Sequence, residues 1–258
     1  MAVLRLADAE IDYQLWGSGP PLLLLHGLGS SQRDWQYQVP ELGRHFQVIT
    51  CDMRGHGASS RRHQEYSIEL FARDAAELLR SLGLAPVGVA GISMGGMIGL
   101  ELALSFPQLV SRLVVCNAGP RLRFDRPRDR INLALRKFLL RFIGMGSVGR
   151  KLAWEMFPEP EQEEFRRLVM ERWAENDWRC YRQALEAVLK YDAEARLHQL
   201  RCPVLVIRGE LDQTPMDLDP EKANLPPGSR RVVVKGSRHA TCIDRAQEFN
   251  RLLIEFFS

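Results

Sequence analysis

Three things are scarce in this sequence. The first is paired cysteine: the five cysteines, at positions 51, 116, 180, 202 and 242, are odd in number, scattered and never in a Cys-x-x-Cys pair. That excludes a disulfide framework and a zinc site of the usual spacing, and it fits a reducing, cytoplasmic compartment. The second is a long apolar run. No stretch approaches the ~18 apolar residues that span a bilayer. The opening Met-Ala-Val-Leu-Arg-Leu-Ala-Asp-Ala-Glu also lacks the basic-then-apolar order of a secretory leader. No membrane span is expected. The third is one-sided charge, since a net +3 over 258 residues is too little to argue for nucleic acid or an acidic membrane surface as partner.

What is present reads as a folded domain. With 45% hydrophobic and 26% charged residues the chain can bury a sizeable core, which excludes a disordered or fibrous class. Strand-like runs fall at residues 11–16, 21–25, 47–51, 87–90, 113–116, 203–207 and 231–234. Leu22-Leu23-Leu24-Leu25 and Val204-Leu205-Val206-Ile207 are apolar without interruption, as in strands covered on both faces of a parallel sheet. Helical periodicity separates them, at 68–82, 94–106 and 246–257. Alternation of this kind predicts an α/β fold with a mostly parallel, doubly wound sheet.

The alternation stops between residues 120 and 200. That stretch has no convincing strand and reads as three or four helices, with Ile131, Leu135, Phe138, Leu139 and Phe142 on one face and Tyr181, Leu185, Val188 and Leu189 on another. About 80 residues is too long for a loop. The expected organisation is therefore a core of residues 1–119 and 201–258 with an inserted helical cap, 120–200, over the C-terminal edge of the sheet.

Chemistry concentrates in a few blocks. Gly91-Ile92-Ser93-Met94-Gly95 matches G-x-S-x-G between a strand and a helix, the context that gives the motif meaning. A serine on such a turn stands above the strand ends, and small residues two positions to either side leave room for its backbone. Its hydroxyl needs a base. Of six histidines, His239 follows the 231–234 strand by a short loop and precedes the last helix, at the sheet edge that carries Ser93. Asp212, in Arg208-Gly209-Glu210-Leu211-Asp212, is the candidate acid that orients it, with Glu210, Asp217 and Asp219 as rivals. Asn117, at the end of another strand, cannot supply the charge. Glycines in His26-Gly27-Leu28-Gly29 allow the Leu28 N–H to face the pocket, where with the Met94 N–H it would form an oxyanion hole. His26 and His56 read as braces of their loops. No cluster has metal-ligand spacing, so no metal is expected.

These blocks, together with Asp52-Met53-Arg54-Gly55-His56-Gly57-Ala58-Ser59 and Arg238-His239-Ala240, resemble the α/β-hydrolase fold from residue 21 to the last helix. The stretch around Ser93 is similar to small bacterial carboxylesterases and 3-oxoadipate enol-lactonases. The resemblance implies cleavage of a small-molecule ester or lactone through an acyl-serine, without cofactor. C–C bond hydrolysis or perhydrolysis on the same residues, or a receptor or scaffold role, are the alternatives. Dehalogenases and epoxide hydrolases of this fold carry an aspartate where Ser93 stands. His239-Ala240-Thr241-Cys242 departs from the histidine loops of enol-lactonases and of C–C hydrolases.

The insertion also carries charge. From Arg121 to Lys151 there are ten Lys or Arg against two Asp, a local balance of +8. Such a run is usually a solvated face; the alternative is that the same stretch, with Phe138, Leu139, Phe142, Ile143 and Met145, lines an apolar acyl pocket with one face while some of Arg121, Arg123, Arg126 and Arg128 fringe the entrance and attract anionic substrates.

Overall fold

A computed structural model describes residues 2–258. Eight strands form one sheet: β1 (Ala2–Arg5), β2 (Glu10–Trp16), β3 (Pro21–Leu25), β4 (Gln47–Cys51), β5 (Val87–Ile92), β6 (Val110–Cys116), β7 (Val204–Gly209) and β8 (Arg230–Val234). Their spatial order is β1-β2-β4-β3-β5-β6-β7-β8, with β1 and β2 antiparallel and every pairing from β4 to β8 parallel. Leu22 to Leu25 and Val204 to Ile207 are buried on both faces, as their unbroken apolar runs require.

Strand β1 is the strand that periodicity misses. It is a four-residue edge strand paired only with β2, and Val3 on it stays exposed, so it carries no burial signal to read.

The helices in chain order are α1 (Val39–Leu42), α2 (Ile68–Ser81), α3 (Met94–Ser105), α4 (Pro127–Phe142), α5 (Met145–Met156), α6 (Glu163–Ala174), α7 (Trp178–Lys190), α8 (Thr241–Asp244) and α9 (Ala246–Phe257). Ser67 starts α2 by accepting the Leu70 N–H at 3.1 Å. Helix α3 leaves β5 directly and is buried along nearly all its length against the sheet and α2.

Helices α4 to α7 lie in the chain between β6 and β7. Their two ends meet in an isolated antiparallel bridge between Arg121 and Asp192. The exit is anchored to α3, where buried Glu101 takes the Arg196 guanidinium at 2.6 Å and the Tyr191 hydroxyl at 3.2 Å. The far side is latched to the loop after β3. Asn176 Nδ2 donates to the Gly29 carbonyl at 2.8 Å, and Arg172 pairs with Asp34.

The sheet reverses its winding between β3 and β5, since β4 lies on one side of β3 and β5 on the other. The crevice beyond the strand ends at such a switch point is where open α/β sheets hold ligands. Leu25 pairs with Gly91, Ile92 with Cys116, Cys116 with Ile207 and Gly209 with Val234. The loops after β3, β5, β6, β7 and β8 therefore leave from one edge.

Among the described residues, no helix is long and apolar enough to cross a membrane, and all five cysteines are free and buried.

Candidate active site

Ser93 occupies the single residue between β5 and α3, at φ 55° and ψ −120°. A non-glycine residue held there stores roughly 1–3 kcal/mol of strain, which the packed turn must overdetermine. The turn is that tight: a Cβ on Gly91 would come within 2.1 Å of the Gly95 carbonyl oxygen, and one on Gly95 within 2.0 Å of the Leu25 carbonyl oxygen. The Ser93 amide donates to the Cys116 carbonyl at 2.9 Å, which ties the turn to β6.

His239 sits on the loop between β8 and α8. Its Nδ1 lies 3.2 Å from Asp212 Oδ1 and 2.8 Å from Thr214 Oγ1. Thr214 Oγ1 in turn donates to Asp212 Oδ1 at 2.7 Å, and the Thr214 amide donates to the same oxygen at 3.0 Å. Asp212 and Thr214 together hold a proton on Nδ1, which leaves Nε2 as the basic nitrogen of the neutral ring. Ser93 and His239 line one cavity, with no direct hydrogen bond between them. Such bonds commonly tighten only with substrate in place.

The Asp212 side chain is 1% exposed, yet it stays ionised. Burial by itself would raise its pKa. The facing His239, its hydrogen bond, and Arg208 Nη1 at 2.9 Å from Oδ2 outweigh that and draw it down to about 2. Arg208 makes an ion-pair contact there without a hydrogen bond aligned on Oδ2. Its guanidinium also donates to the carbonyls of Asp212, Thr214 and Met216, so it shapes the loop as well as charging it.

None of the rival acids reaches the imidazole. Glu210 accepts the Gly236 N–H, Asp217 pairs with Arg231, and Asp219 with Lys222.

The loop after β3 brings Leu28 to the same cavity as Ser93. Among the described residues the Leu28 and Met94 amides have no hydrogen-bond acceptor. His26 braces that loop: its Nδ1–H donates to the Gly27 carbonyl at 2.8 Å, and Nε2 accepts the Met53 N–H at 3.0 Å. His56 is fully buried behind it. Burial and the neighbouring His26 push its pKa down to about 3, so it stays neutral.

Three contributors escape a reading of the sequence. Asn117, dismissed as an acid, is buried at φ 46°. Its amide donates to the His239 carbonyl at 2.7 Å and to Thr241 Oγ1 at 2.8 Å, while its oxygen accepts the Gly209 N–H at 2.8 Å. One carboxamide thus joins the end of β6, the end of β7 and the histidine loop. Its place directly after a buried strand, level with Ser93, was the available signal. Thr214 and Arg208 carried none, because hydroxyls and arginines near strand ends are common.

The cavity is about 470 Å³. One expectation fails here. Phe138, Leu139, Phe142, Ile143 and Met145 do not line it; apolar lining comes from Leu122, Phe124, Leu133, Leu152, Trp173 and Val188. Periodicity identified a stripe on α4, but α4 turns a different face, with Leu133 and Asn132, to the cavity. Arg126 and Arg128 do line it, whereas Arg121 and Arg123 are held on the surface by Asp192 and Glu194.

Spacing gave no metal cluster, but the fold brings His63, Asp177 and Cys180 within ligand range of one another. They lie outside the cavity, and Asp177 is occupied in capping α7 through the Arg179 and Cys180 amides.

Residues 22–252 match the Alpha/beta hydrolase family, and the chain belongs to it. A RutD protein of Azorhizobium caulinodans is 30% identical over 255 residues, covering 96% of this chain and 95% of the other. The enol-lactonase of Burkholderia xenovorans superposes with a TM-score of 0.89 at 25% identity, over 99% of both chains. An uncharacterized protein of Mycobacterium tuberculosis is 37% identical over 107 residues only, which is 42% of this chain and 31% of that longer one.

Proposed function

We propose that the chain is a serine hydrolase that cleaves carboxylic esters or lactones through an acyl-serine. The observation that carries the reading is Ser93, strained on the β5–α3 turn, sharing a cavity with an imidazole whose Nδ1 is held by a buried, ionised carboxylate. Ser93 Oγ attacks the carbonyl carbon as His239 Nε2 takes its proton. The Leu28 and Met94 amides receive the developing oxyanion, each donor being worth roughly 2.7–4 kcal/mol at the transition state. The imidazolium then protonates the leaving alcohol, and a water, deprotonated by the same nitrogen, releases the acid. Asp212 stays charged throughout and stabilises the imidazolium. The likeness to a lactonase supports a carbonyl substrate with an alkoxide leaving group.

The cavity favours an apolar acyl chain with tolerance for an anionic group. Arg126 and Arg128 on its lining have no acidic partner among the described residues. Arg136 bonds the Tyr181 hydroxyl rather than a carboxylate. Cap and core, as residues 120–200 and the remainder, divide the work into substrate selection and bond cleavage.

The test is chemical. A fluorophosphonate should label the protein once, and p-nitrophenyl esters of short acids should be turned over. Ser93→Ala should abolish both and leave the far-ultraviolet spectrum unchanged. Labelling that persists in Ser93→Ala would remove Ser93 as nucleophile.

A further inference from the structure

Helix α4 presents two different faces. The inner one, with Asn132 and Leu133, lines the cavity. The outer one carries Ile131, Leu135, Phe138 and Phe142, spaced i, i+4, i+7 and i+11 and so confined to about 60° of arc. These side chains are not tucked in: Ile131 is 65%, Phe138 52%, Phe142 70% and the following Ile143 61% exposed. At the end of the stripe a surface groove continues it, between Phe142, Ile143 and Trp178. A run of large apolar side chains of this length on the surface marks a binding face.

The charge around the stripe selects the partner. The segment Arg121 to Lys151 carries the local +8 described above. Among the described residues Arg126, Arg128, Arg130, Arg136, Arg141 and Arg150 have no acidic partner; only Arg121, Arg123, Lys137 and Lys151 do. Lys137 and Arg141 flank the stripe, and Arg141 lies 5.6 Å over the Phe142 ring. Arg179 and Arg182 stack on Trp178 in the same way. An exposed apolar stripe bordered by arginines, with a tryptophan at its end, is the pattern of a helix lying in a lipid headgroup layer. A second copy of this chain is a poor occupant, because a symmetric contact would set the unpaired Arg141, Arg179 and Arg182 of one copy against the same arginines of the other.

We propose that the outer face of α4, extended by Trp178, docks on an anionic lipid bilayer. Ile131, Phe138, Phe142 and Ile143 enter the interface while Lys137, Arg141, Arg179 and Arg182 meet lipid phosphates; Arg126, Arg128 and Arg136 line the cavity instead. The overall charge of +3 conceals this, because the basic residues are concentrated in one segment. Docking holds whether or not Ser93 is the nucleophile, since none of the residues proposed to insert is placed in the chemistry.

Co-sedimentation of the full chain with vesicles tests it, comparing pure phosphatidylcholine with phosphatidylcholine containing about 30% phosphatidylglycerol. Binding should be at least about tenfold stronger to the anionic vesicles and should fall about tenfold between ~0.05 and ~0.5 M salt. Phe138→Ser with Phe142→Ser should lose about tenfold or more of the binding. Lys137→Gln with Arg141→Gln should lose the same order, at about fivefold per charge. Both pairs should hydrolyse a water-soluble ester at the parent rate, which shows that they fold. Equal partition into the two vesicle types, no binding to either, or full binding by the aromatic pair would overturn the proposal. So would a concentration-dependent dimer in sedimentation velocity that the aromatic pair abolishes, since the stripe would then belong to a second copy.

Discussion

The sheet edge and the helical insertion treat their charged groups in opposite ways. At the edge, charge is buried and closely paired. Asp212 is enclosed by His239, Thr214 and Arg208, and Arg54, 2% exposed, is held by Asp74 and Asp8. On the outer face of α4, by contrast, Arg141 has no acidic partner among the described residues and stands beside exposed Phe138 and Phe142, as Arg179 and Arg182 do beside Trp178. The difference teaches where rigidity is needed. A proton relay works only if its members hold fixed positions, and paired, desolvated groups hold them. A surface that selects substrates or meets a bilayer gains from charge left free to act at a distance.

The largest break in that comparison should come from the acid. Asp212→Asn should lower kcat by about 10⁴-fold, because the amide favours the wrong imidazole tautomer. Asp217→Asn and Asp219→Asn, whose partners are surface Arg231 and Lys222, should change kcat by less than about threefold. Steady-state kinetics on one ester series decides it. Glu210→Gln as the most damaging of the four would transfer the role to Glu210.

Next comes stability. The Arg54 guanidinium donates to Asp74 at 2.5 and 2.6 Å and to Asp8 at 2.9 and 3.1 Å. Arg54→Met would leave Asp74 buried and uncompensated, so unfolding free energy should drop by about 3–5 kcal/mol. Arg150→Met, on the exposed face of α5, should shift it by no more than about 0.5 kcal/mol. Denaturant titrations of the two variants make the contrast. Similar losses would mean that the insertion is as tightly determined as the edge.

How much of this was legible beforehand follows the same division. Continuous apolar runs gave β3 and β7, and the strand–turn–helix context placed Ser93. Chain order then placed Asp212 and His239, because each follows a strand whose direction the parallel sheet dictates. β8 was also legible, although as an edge strand it is half exposed. β1 was not, being four residues long with an exposed valine. Asn117 was legible only as a polar residue directly after a buried strand, level with Ser93; that its carboxamide joins three loops was not, since any polar residue there looks the same. The sharpest failure was on α4. A period of 3.6 residues shows that a helix has an apolar stripe, but not whether that stripe meets protein or solvent. α4 carries Leu133 and Leu140 inward as well as the outer stripe.

A smaller effect concerns acid. The pKa of Asp212 is drawn from 3.8 to about 2 in the folded protein. A depressed carboxylate pKa contributes stability that is complete above the unfolded value and is lost as pH falls through the folded one. Asp212 should therefore contribute about 2 kcal/mol at neutral pH, disappearing between about pH 4 and pH 2. Urea midpoints of the parent should fall more steeply over that window than those of Asp212→Asn. Parallel curves would mean that His239 and Arg208 do not hold the charge.

The smallest predicted effect probes the insertion's free charge at the cavity. Four arginines precede or begin α4, and the fold separates them into two pairs. Arg121 and Arg123 are neutralised by Asp192 and Glu194. Arg126 and Arg128 line the cavity without an ion-pair partner among the described residues, although Asp129 and Glu155 line it as well. Unneutralised charge on a cavity wall raises the local concentration of an oppositely charged substrate, and salt screens it over ~10 Å at 0.1 M. For an anionic ester, kcat/KM should fall about threefold more between ~0.05 and ~0.5 M salt than for its neutral analogue. Arg126→Gln with Arg128→Gln should close that gap, while Arg121→Gln with Arg123→Gln should leave it open. Comparing the two double variants removes any general effect of salt on the protein, because both lose two positive charges from the same segment. A gap that closes in both would assign the attraction to the total charge of the insertion rather than to the two arginines on the cavity wall.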